Sequence, residues 1–289
     1  MSQTLPITVL IAARNEEANL GRCLDALAPA GRTIVIDSQS TDRTASIAQS
    51  RGAEVIQFTY GGGYPKKRQW ALDTLQLATP WVLLIDADEV VPTALWQEIA
   101  GAIGSAHPHD AYLITKGFHF LGRKFSHGGF SHSAVLLFRT GAARFERLIE
   151  DAANGLDMEV HERLIVSGNI GTLRTPLIHE DFKGLEAYIA RHNRYSTWEA
   201  QVRAHFHATG SYGDTTIVPR LFGNVQERRR ALKSWIIRLP FEPTLWFLYH
   251  YVARLGFLEG RPGFIACRIR SAYISQVHAK LHEIRSRAR

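Results

Sequence analysis

The sequence predicts an α/β protein with a mostly parallel central sheet flanked by helices, followed by a helical C-terminal extension. Over the first 115 residues, short apolar runs alternate with stretches of helical periodicity. This alternation at this spacing is typical of βαβ units around a parallel sheet. From residue 184 onward the pattern is predominantly that of amphipathic helices.

The first predicted strand covers residues 6–12, where PITVLIA is a continuous apolar run of the kind that is covered on both faces. Thr and Asp are common helix caps, and proline is common at the first helical position. Further strands are predicted at residues 33–38, 53–58 and 81–89, and helices at 16–28, after Thr41 and Asp42, around 66–78 and from Pro92. Ligands of such sheets bind at the carboxyl ends of the strands.

The remainder of the chain is predicted to be less regular at first and then helical. Residues 111–180 contain short apolar runs that indicate mixed strands and long loops. Residues 245–258 form the most apolar stretch of the chain, which His250 and Arg254 interrupt. This stretch is too short to span a bilayer.

Composition and charge narrow the classes of function. Two cysteines, Cys23 and Cys267, argue against a disulfide scaffold or a cysteine-based zinc module and fit a reducing compartment. The first residues lack the basic region of a signal peptide, so we expect a cytoplasmic protein. Residues 1–110 hold 8 Lys and Arg against 12 Asp and Glu, whereas residues 111–289 hold 26 against 15. The excess of positive charge in residues 111–289 predicts an anionic partner. The alternative is a basic surface that serves only solubility.

The main chemical signal is the pair Asp86 and Asp88 at the end of an apolar strand. Two carboxylates in this position can reach one hard cation, Mg²⁺ or Mn²⁺, that also binds phosphate. The alternative is two solvated acids that cap a loop. Asp37 ends another strand and could bind a base or ribose, or cap its own turn. Lys67 and Arg68 follow a glycine-rich loop and could contact phosphates, or could simply be solvated.

Four segments, ITVLIAARNEEANL, VIDSQSTDRT, KKRQWAL and WVLLIDADEVVP, resemble family 2 glycosyltransferases with the GT-A fold. Later segments such as FLGRKFSHGG, VHERLIVSG, PLIHEDF and LGFLEGRPGF resemble the WaaE (KdtX) group, which acts on the lipopolysaccharide inner core. The resemblance covers roughly residues 6–285. It departs from the group at Leu136, where members often have arginine.

The resemblance implies a nucleotide-sugar donor, a divalent metal (Mn²⁺ or Mg²⁺) and a set of binding residues. Asp37 would bind the uracil or ribose side, Arg68 would lie near the diphosphate, and Asp86 would serve both diphosphate and metal. His179 would be the third metal ligand after Asp86 and Asp88, or otherwise an ordinary histidine at a strand end. The nucleotide pocket would also be lined by Ala13, Arg14, Glu16, Ser40 and Asp42.

Inversion of the anomeric centre, which the resemblance implies, requires a carboxylate base for the acceptor hydroxyl. We assign this base to Glu162, with Asp181 and Glu180 as alternatives. The alternative for Glu162 is an ion pair with Arg163 or another cation.

The resemblance places a GT-A catalytic domain in residues 1–182, with a nucleotide-sugar half (about 1–115) and an acceptor half (about 116–182). Residues 183–289 form a basic helical region that would face the membrane or the acceptor. Its basic and apolar residues are typical of a helix at an anionic lipid surface. The alternative is a packing helix whose aromatic residues belong to the core. Nucleic acid is a poorer explanation of the basic residues than anionic lipid. The residues concerned are Arg228, Arg229, Arg230, Lys233, Arg238, Leu232, Trp235, Ile236, Ile237, Phe241, Trp246, Phe247 and Tyr249.

We therefore expect an inverting, metal-dependent transfer of a sugar, most plausibly from UDP-glucose, to a lipopolysaccharide inner-core acceptor at the inner face of the cytoplasmic membrane. One alternative keeps the fold and changes the acceptor to another polysaccharide, a lipid phosphate or a protein. A second alternative is a non-catalytic nucleotide-binding or membrane-surface adaptor.

Overall fold

A computed structural model describes residues 4–149, 156–160, 162–239 and 241–287. Its first part is a parallel sheet in the strand order β3-β2-β1-β4, and apolar residues are buried on both faces of the central strands β1 and β4. The strands are β1 (Leu5–Ala13), β2 (Ala30–Asp37), β3 (Glu54–Gln57) and β4 (Trp81–Asp86). The connecting helices are α1 (Leu20–Asp25), α2 (Thr44–Ser50) and α3 (Lys67–Thr74).

The sheet continues beyond β4 with strands of both directions, in the order β4-β8-β6-β12-β5. Strand β8 is antiparallel to β4 and β6, whereas β12 is parallel to β6 and antiparallel to β5. These elements are β5 (Glu89–Val90), α4 (Thr93–Ile103), β6 (Ala111–Phe120), β7 (Arg123–Lys124), β8 (His132–Arg139), β11 (Ile170–Thr172) and β12 (Leu177–His179). Strands β9 (Ala143–Phe145) and β10 (Leu164–Val166) form a separate antiparallel pair.

The alternation of side chains along β1 divides the core into two layers. Val9 and Ile11 pack on one face with residues of α1 and α4, such as Leu20 and Leu95. Leu10 packs on the opposite face with Ile34 and Ile36 and with residues of α3. The carboxyl ends of the central strands are held rigidly between these two layers.

The C-terminal part of the chain is helical over the residues that the structure describes. Its helices are α5 (Gly184–Thr209), α6 (Val225–Ile236), α7 (Glu242–Leu248) and α8 (Gly260–Arg287), with a π-helical turn at Tyr249–Ala253 and a 3₁₀ turn at Gly256–Glu259. Helix α5 packs against α8 around Ala200, Tyr273 and Val277. The same helix packs Trp198 and Phe206 against Leu148, which lies shortly after β9.

Helices α1 and α2 begin later than the sequence predicts, because the residues before them form the loops that meet at the sheet edge. Helices α1 and α3 also end earlier than predicted, at Asp25 and Thr74. The backbone N–H of Glu16 donates to Thr44 Oγ1 at 2.7 Å, and that of Glu17 donates to Asp42 Oδ2 at 3.1 Å. Asp42 also accepts from the N–H of Thr44 at 2.9 Å, so it lies just before α2. The apolar stretch 245–258 is divided among α7 and the two short turns. Across the described ranges, no helix is both long and apolar enough to cross a bilayer.

Candidate active site

The predicted site residues of the first half meet at the carboxyl edge of the parallel strands. Ala13 is the residue opposite Asp37 in the register of β1 and β2, and Ala12 is opposite Asp86 in that of β1 and β4. Ends of neighbouring parallel strands form the crevice where α/β proteins bind ligands. The sequence-based expectation that Asp37 and Asp86 share this edge is confirmed.

Asp37 holds the turn that follows its strand. Its carboxylate accepts from the backbone N–H of Ser40 at 3.2 Å, from the hydroxyl of Ser40, and from Nε2 of Gln57 at 2.9 Å. The side chain is buried, with 1% exposure for the residue. Asp37 therefore performs the turn-capping role that was one of its two predicted roles. The nucleotide role of Asp37 and Ser40 stays a prediction.

The start of α3 inserts two cations beneath the same edge. Lys67 Nζ donates to the Ala13 carbonyl at 2.9 Å and lies 3.1 Å from Asp157 Oδ2. Burial lowers the pKa of Lys67 despite this pairing. Buried Glu159 caps the helix by accepting from the backbone N–H groups of Arg68 at 3.1 Å and Gln69 at 3.0 Å. The cap leaves the Arg68 guanidinium against Asp86.

A chain of alternating charges runs across the end of β4. Asp86 contacts Arg68 through Oδ1 and Lys116 Nζ through Oδ2, the latter at 2.7 Å. Lys116 Nζ also lies 2.6 Å from Glu89 Oε1, and His179 Nδ1 lies 3.6 Å from the same oxygen. Burial opposes the charge of Asp86, but Arg68 and Lys116 outweigh it and hold its pKa well below the ordinary range.

His179 lies beside Asp88, as the resemblance implies. Its Nδ1 is 3.4 Å from Asp88 Oδ1, and β12 places His179 opposite Glu89 of β5. Burial disfavours the imidazolium, but the carboxylates of Asp88 and Glu89 outweigh this effect and raise the pKa of His179 to about 10. This arrangement therefore favours the imidazolium, which must lose its proton before His179 can bind a metal ion.

The donor types at this point fit a divalent cation. Asp86 and Asp88 offer carboxylate oxygens, and the buried Nδ1 of His179 makes no hydrogen bond. Within the described ranges, however, no three His, Cys, Asp or Glu side chains already converge as a metal site. Asp86 faces Arg68 and Lys116 instead, so metal binding requires Asp86 to exchange a cationic partner.

The candidate bases occupy different surroundings. Glu162 Oε1 lies 2.6 Å from Lys66 Nζ, and Oε2 accepts from the N–H of Val160 at 2.9 Å. The predicted alternative of an ion pair is thus realised with Lys66 and not with Arg163. Lys66 in turn lies over the Trp198 ring, 4.1 Å from its centroid. Only 4% of the Glu162 side chain is exposed.

Asp181 and Glu180 are tied to other elements of the chain. Asp181 accepts from Asn19 Nδ2 at 3.0 Å and from Arg191 Nη2 at 2.7 Å. Burial opposes the charge of Asp181, yet these donors lower its pKa, which makes it a weak proton acceptor. Glu180 pairs with Arg22 at 3.0 Å. Both carboxylates therefore serve to join α1 to the end of β12.

Three further positions are placed clearly. Arg14 is exposed at the site edge, and Glu16 pairs with Lys183 Nζ at 2.5 Å. Burial raises the pKa of Glu16 in spite of that cation. Leu136 is 6% exposed and belongs to the core, so this departure from the resembled group carries no polar contact.

Sequence reasoning missed several residues of this network: Lys66, Glu89, Lys116, Asp157 and Glu159. Lys116 carried a signal, because it is a single lysine within the apolar strand AYLITKGF. Glu89 also carried one, since it directly follows the two recognised acids. Asp157 and Glu159 carried none, because their contacts depend on how residues 156–160 cross the start of α3.

The sequence model of the glycosyl transferase family 2 matches residues 8–122 of this chain. The family match and the mixed α/β sheet confirm the predicted GT-A fold class.

Along its length the chain is similar to the lipopolysaccharide core biosynthesis glycosyltransferase LpsC of Rhizobium meliloti. The two are 27% identical over 96% of this chain and 95% of LpsC. An uncharacterized glycosyltransferase of Rickettsia typhi is 26% identical over 90% of this chain and 80% of its own. Glucosyl-3-phosphoglycerate synthase of Mycobacterium tuberculosis, solved with Mn²⁺ and UDP, is 26% identical over 42% of this chain and 46% of its own, with a TM-score of 0.32.

Proposed function

We propose that this glycosyltransferase moves a sugar, glucose by resemblance, from a UDP-sugar to a hydroxyl of the lipopolysaccharide inner core, with inversion. The observation that carries the proposal is the cation–carboxylate chain at the end of β4, because it joins phosphate-binding cations to metal-binding carboxylates. The similarity to LpsC over nearly the whole chain supports a lipopolysaccharide core acceptor. Acceptors of other kinds remain the alternative within the same reaction class.

The donor would lie along the carboxyl edge of β1, β2 and β4. Its base and ribose would face Asp37 and Ser40, next to the exposed Arg14, and its diphosphate would face the Arg68 guanidinium. Asp86, Asp88 and His179 would hold the divalent cation, which would neutralise charge on the departing diphosphate. Arg68 can contribute to that neutralisation from the protein side, since its charge is fixed at all accessible pH values.

Glu162 would accept the proton of the attacking acceptor hydroxyl. Its carboxylate is held by the N–H of Val160 and by Lys66, so its orientation is fixed before the acceptor arrives. Asp181 is the weaker candidate, because its donors Asn19 and Arg191 lower its pKa.

Asp88→Ala is expected to abolish the metal-dependent part of UDP binding. Calorimetric titration of UDP, with and without Mn²⁺, measures this part directly. We expect Mn²⁺ to strengthen binding to the unaltered protein and to have less than about a twofold effect in the variant. Asp25→Ala is the matched control, since Asp25 is an exposed acid paired with Arg51. A protein that binds no UDP under any of these conditions would overturn the donor assignment.

We also propose that the protein works at the inner face of the cytoplasmic membrane, with its C-terminal helices against anionic lipid. Exposed apolar side chains concentrate there: Trp235 is 71% exposed and Phe241 is 78% exposed. Exposed cations, including Arg228, Arg229 and Arg238, lie among them. Aromatic and cationic side chains in this mixture suit the headgroup region of a membrane.

The structure corrects two residues of that predicted surface. Arg230 is 3% exposed and pairs with Glu146, and Ile237 is 5% exposed and packs against the core around Trp198. Both residues point into the protein because α6 is amphipathic, with one face turned to the catalytic region. The lipid-facing surface is therefore narrower than the run of basic residues predicts.

The double substitution Trp235→Ala and Phe241→Ala is expected to lower partition onto vesicles by about tenfold, because two inserted aromatic side chains contribute at least about 1.4 kcal/mol together. Sedimentation with vesicles of phosphatidylglycerol and phosphatidylethanolamine at low salt measures the bound fraction. Ile189→Ala, an exposed apolar residue on α5, serves as the control. Unchanged partition of the double variant would remove this surface from the proposal.

A further inference from the structure

Lys116 occupies a position in the site that neither the motif pattern nor the family match assigns. It lies on β6, next to β12, with only 11% of its side chain exposed. Its ammonium lies 2.7 Å from Asp86 Oδ2 and 2.6 Å from Glu89 Oε1. A buried lysine between two carboxylates offsets part of the negative charge of each, and it therefore affects how strongly either can bind another cation.

Lys116 contacts a carboxylate oxygen that a metal–diphosphate complex would also use. Asp86 has Arg68 on one oxygen and Lys116 on the other, so a divalent ion competes with Lys116 for the Oδ2 atom. A lysine has three N–H donors on a flexible four-carbon stem. It can therefore keep Glu89 and redirect the remaining donors from Asp86 to a phosphate oxygen.

We propose that Lys116, which bridges Asp86 and Glu89, is a ligand of the donor diphosphate. It exchanges Asp86 for a phosphate oxygen when the nucleotide binds, with or without the metal, and so leaves Asp86 Oδ2 open to the metal. This inference rests on the proposed function, since it takes a nucleoside diphosphate as the ligand. Lys116 thereby lowers the affinity for the metal ion and raises the affinity for the diphosphate. Its charge competes with the metal and attracts the phosphates.

Because removal of Lys116 should change the Mn²⁺ affinity and the UDP affinity in opposite directions, binding measurements alone can test the proposal. Lys116→Met removes the ammonium and keeps a long unbranched side chain. We expect Mn²⁺ alone to bind this variant at least about threefold more tightly, because Asp86 and Glu89 lose their competing cation. We expect UDP in the presence of a chelator to bind at least about tenfold more weakly, because a charge-assisted hydrogen bond is lost. Calorimetric titration measures both.

Two variants serve as controls for charge and for general effects. Lys116→Arg keeps the charge and should retain metal-free UDP binding within about threefold. Lys124→Met, on exposed strand β7, removes a lysine outside the network and should alter neither titration. If Lys116→Met fails to fold, Lys116→Met combined with Glu89→Gln removes the ammonium together with one carboxylate that it neutralises. That double variant must still lose UDP affinity by about tenfold.

The outcomes separate this inference from the function on which it rests. Failure of the unaltered protein to bind UDP would overturn the proposed function. Normal UDP binding by the unaltered protein and by Lys116→Met alike would overturn the role of Lys116 alone. Weaker binding of both Mn²⁺ and UDP to Lys116→Met would show that Lys116 only holds the side chains of Asp86 and Glu89 in position. This result would also overturn the inference.

Discussion

Glu162→Gln is expected to lower the turnover number of sugar transfer by about 10³-fold and to leave the affinity for UDP within about twofold. A positioned general base contributes about 10²–10⁴-fold to rate, and the amide keeps the shape of the carboxylate while it cannot accept the proton. Glu162 contacts Lys66 and Val160 and is not a direct partner of Asp86, so donor binding should persist. Initial rates with a lipopolysaccharide acceptor and UDP titration measure the two quantities.

Asp181→Asn is the matched control for this experiment. Asp181 bridges α1 and α5 through Asn19 and Arg191, so its amide variant should lose thermal stability more than turnover. Full activity of Glu162→Gln, together with loss of activity in Asp181→Asn, would transfer the role of the base to Asp181. Thermal unfolding of both variants separates a loss of chemistry from a loss of fold.

Glu146→Ala is expected to lower the free energy of unfolding by about 3–5 kcal/mol, which is the usual effect of breaking a buried ion pair on one side. The Glu146 side chain is fully buried and pairs with Arg230, whose side chain is 3% exposed. The carboxylate also accepts from the backbone N–H groups of Arg163 at 2.9 Å and Ile217 at 2.7 Å. Equilibrium unfolding in urea measures the change.

Glu283→Ala provides the surface comparison. Glu283 forms an exposed pair with Arg287 on the last turns of α8, and we expect a change below about 0.5 kcal/mol. Replacement of both partners, with Glu146→Leu and Arg230→Met, should recover much of the loss, because no unpaired charge then stays buried. A decrease of less than about 1 kcal/mol in the free energy of unfolding for Glu146→Ala would show that this ion pair contributes little to the packing of α6 against the segment after β9.

The sequence predicted the parallel part of the fold well, because strands covered on both faces are continuous apolar runs. The run around Val9 and that around Leu83 have no other stable environment in a protein of this size. The edge position of Asp37 and Asp86 followed from the strand ends alone. The early helices were predicted too long, since Glu16 and Glu17 form hydrogen bonds across the loop to Thr44 and Asp42.

The site residues that were not predicted from the sequence owe their contacts to strand pairing or ion pairing between segments that are distant in the chain. Glu89 meets His179 only because β5 pairs with β12, and no local pattern encodes that register. The partner of Arg230 lies 84 residues earlier in the chain, so the run of basic residues around it gave no sign of its burial. The separation of lipid-facing from buried cations on α6 therefore required the three-dimensional structure.

The contacts of α5 and α6 also decide how relatives of this enzyme can be recombined. A chimaera joined at residue 183 would pair the first segment with foreign helices. It would separate Lys66 from Trp198 and Glu146 from Arg230. The C-terminal helices can thus be exchanged without loss of these contacts only together with Lys66 and Glu146, so the interchangeable unit is discontinuous in sequence.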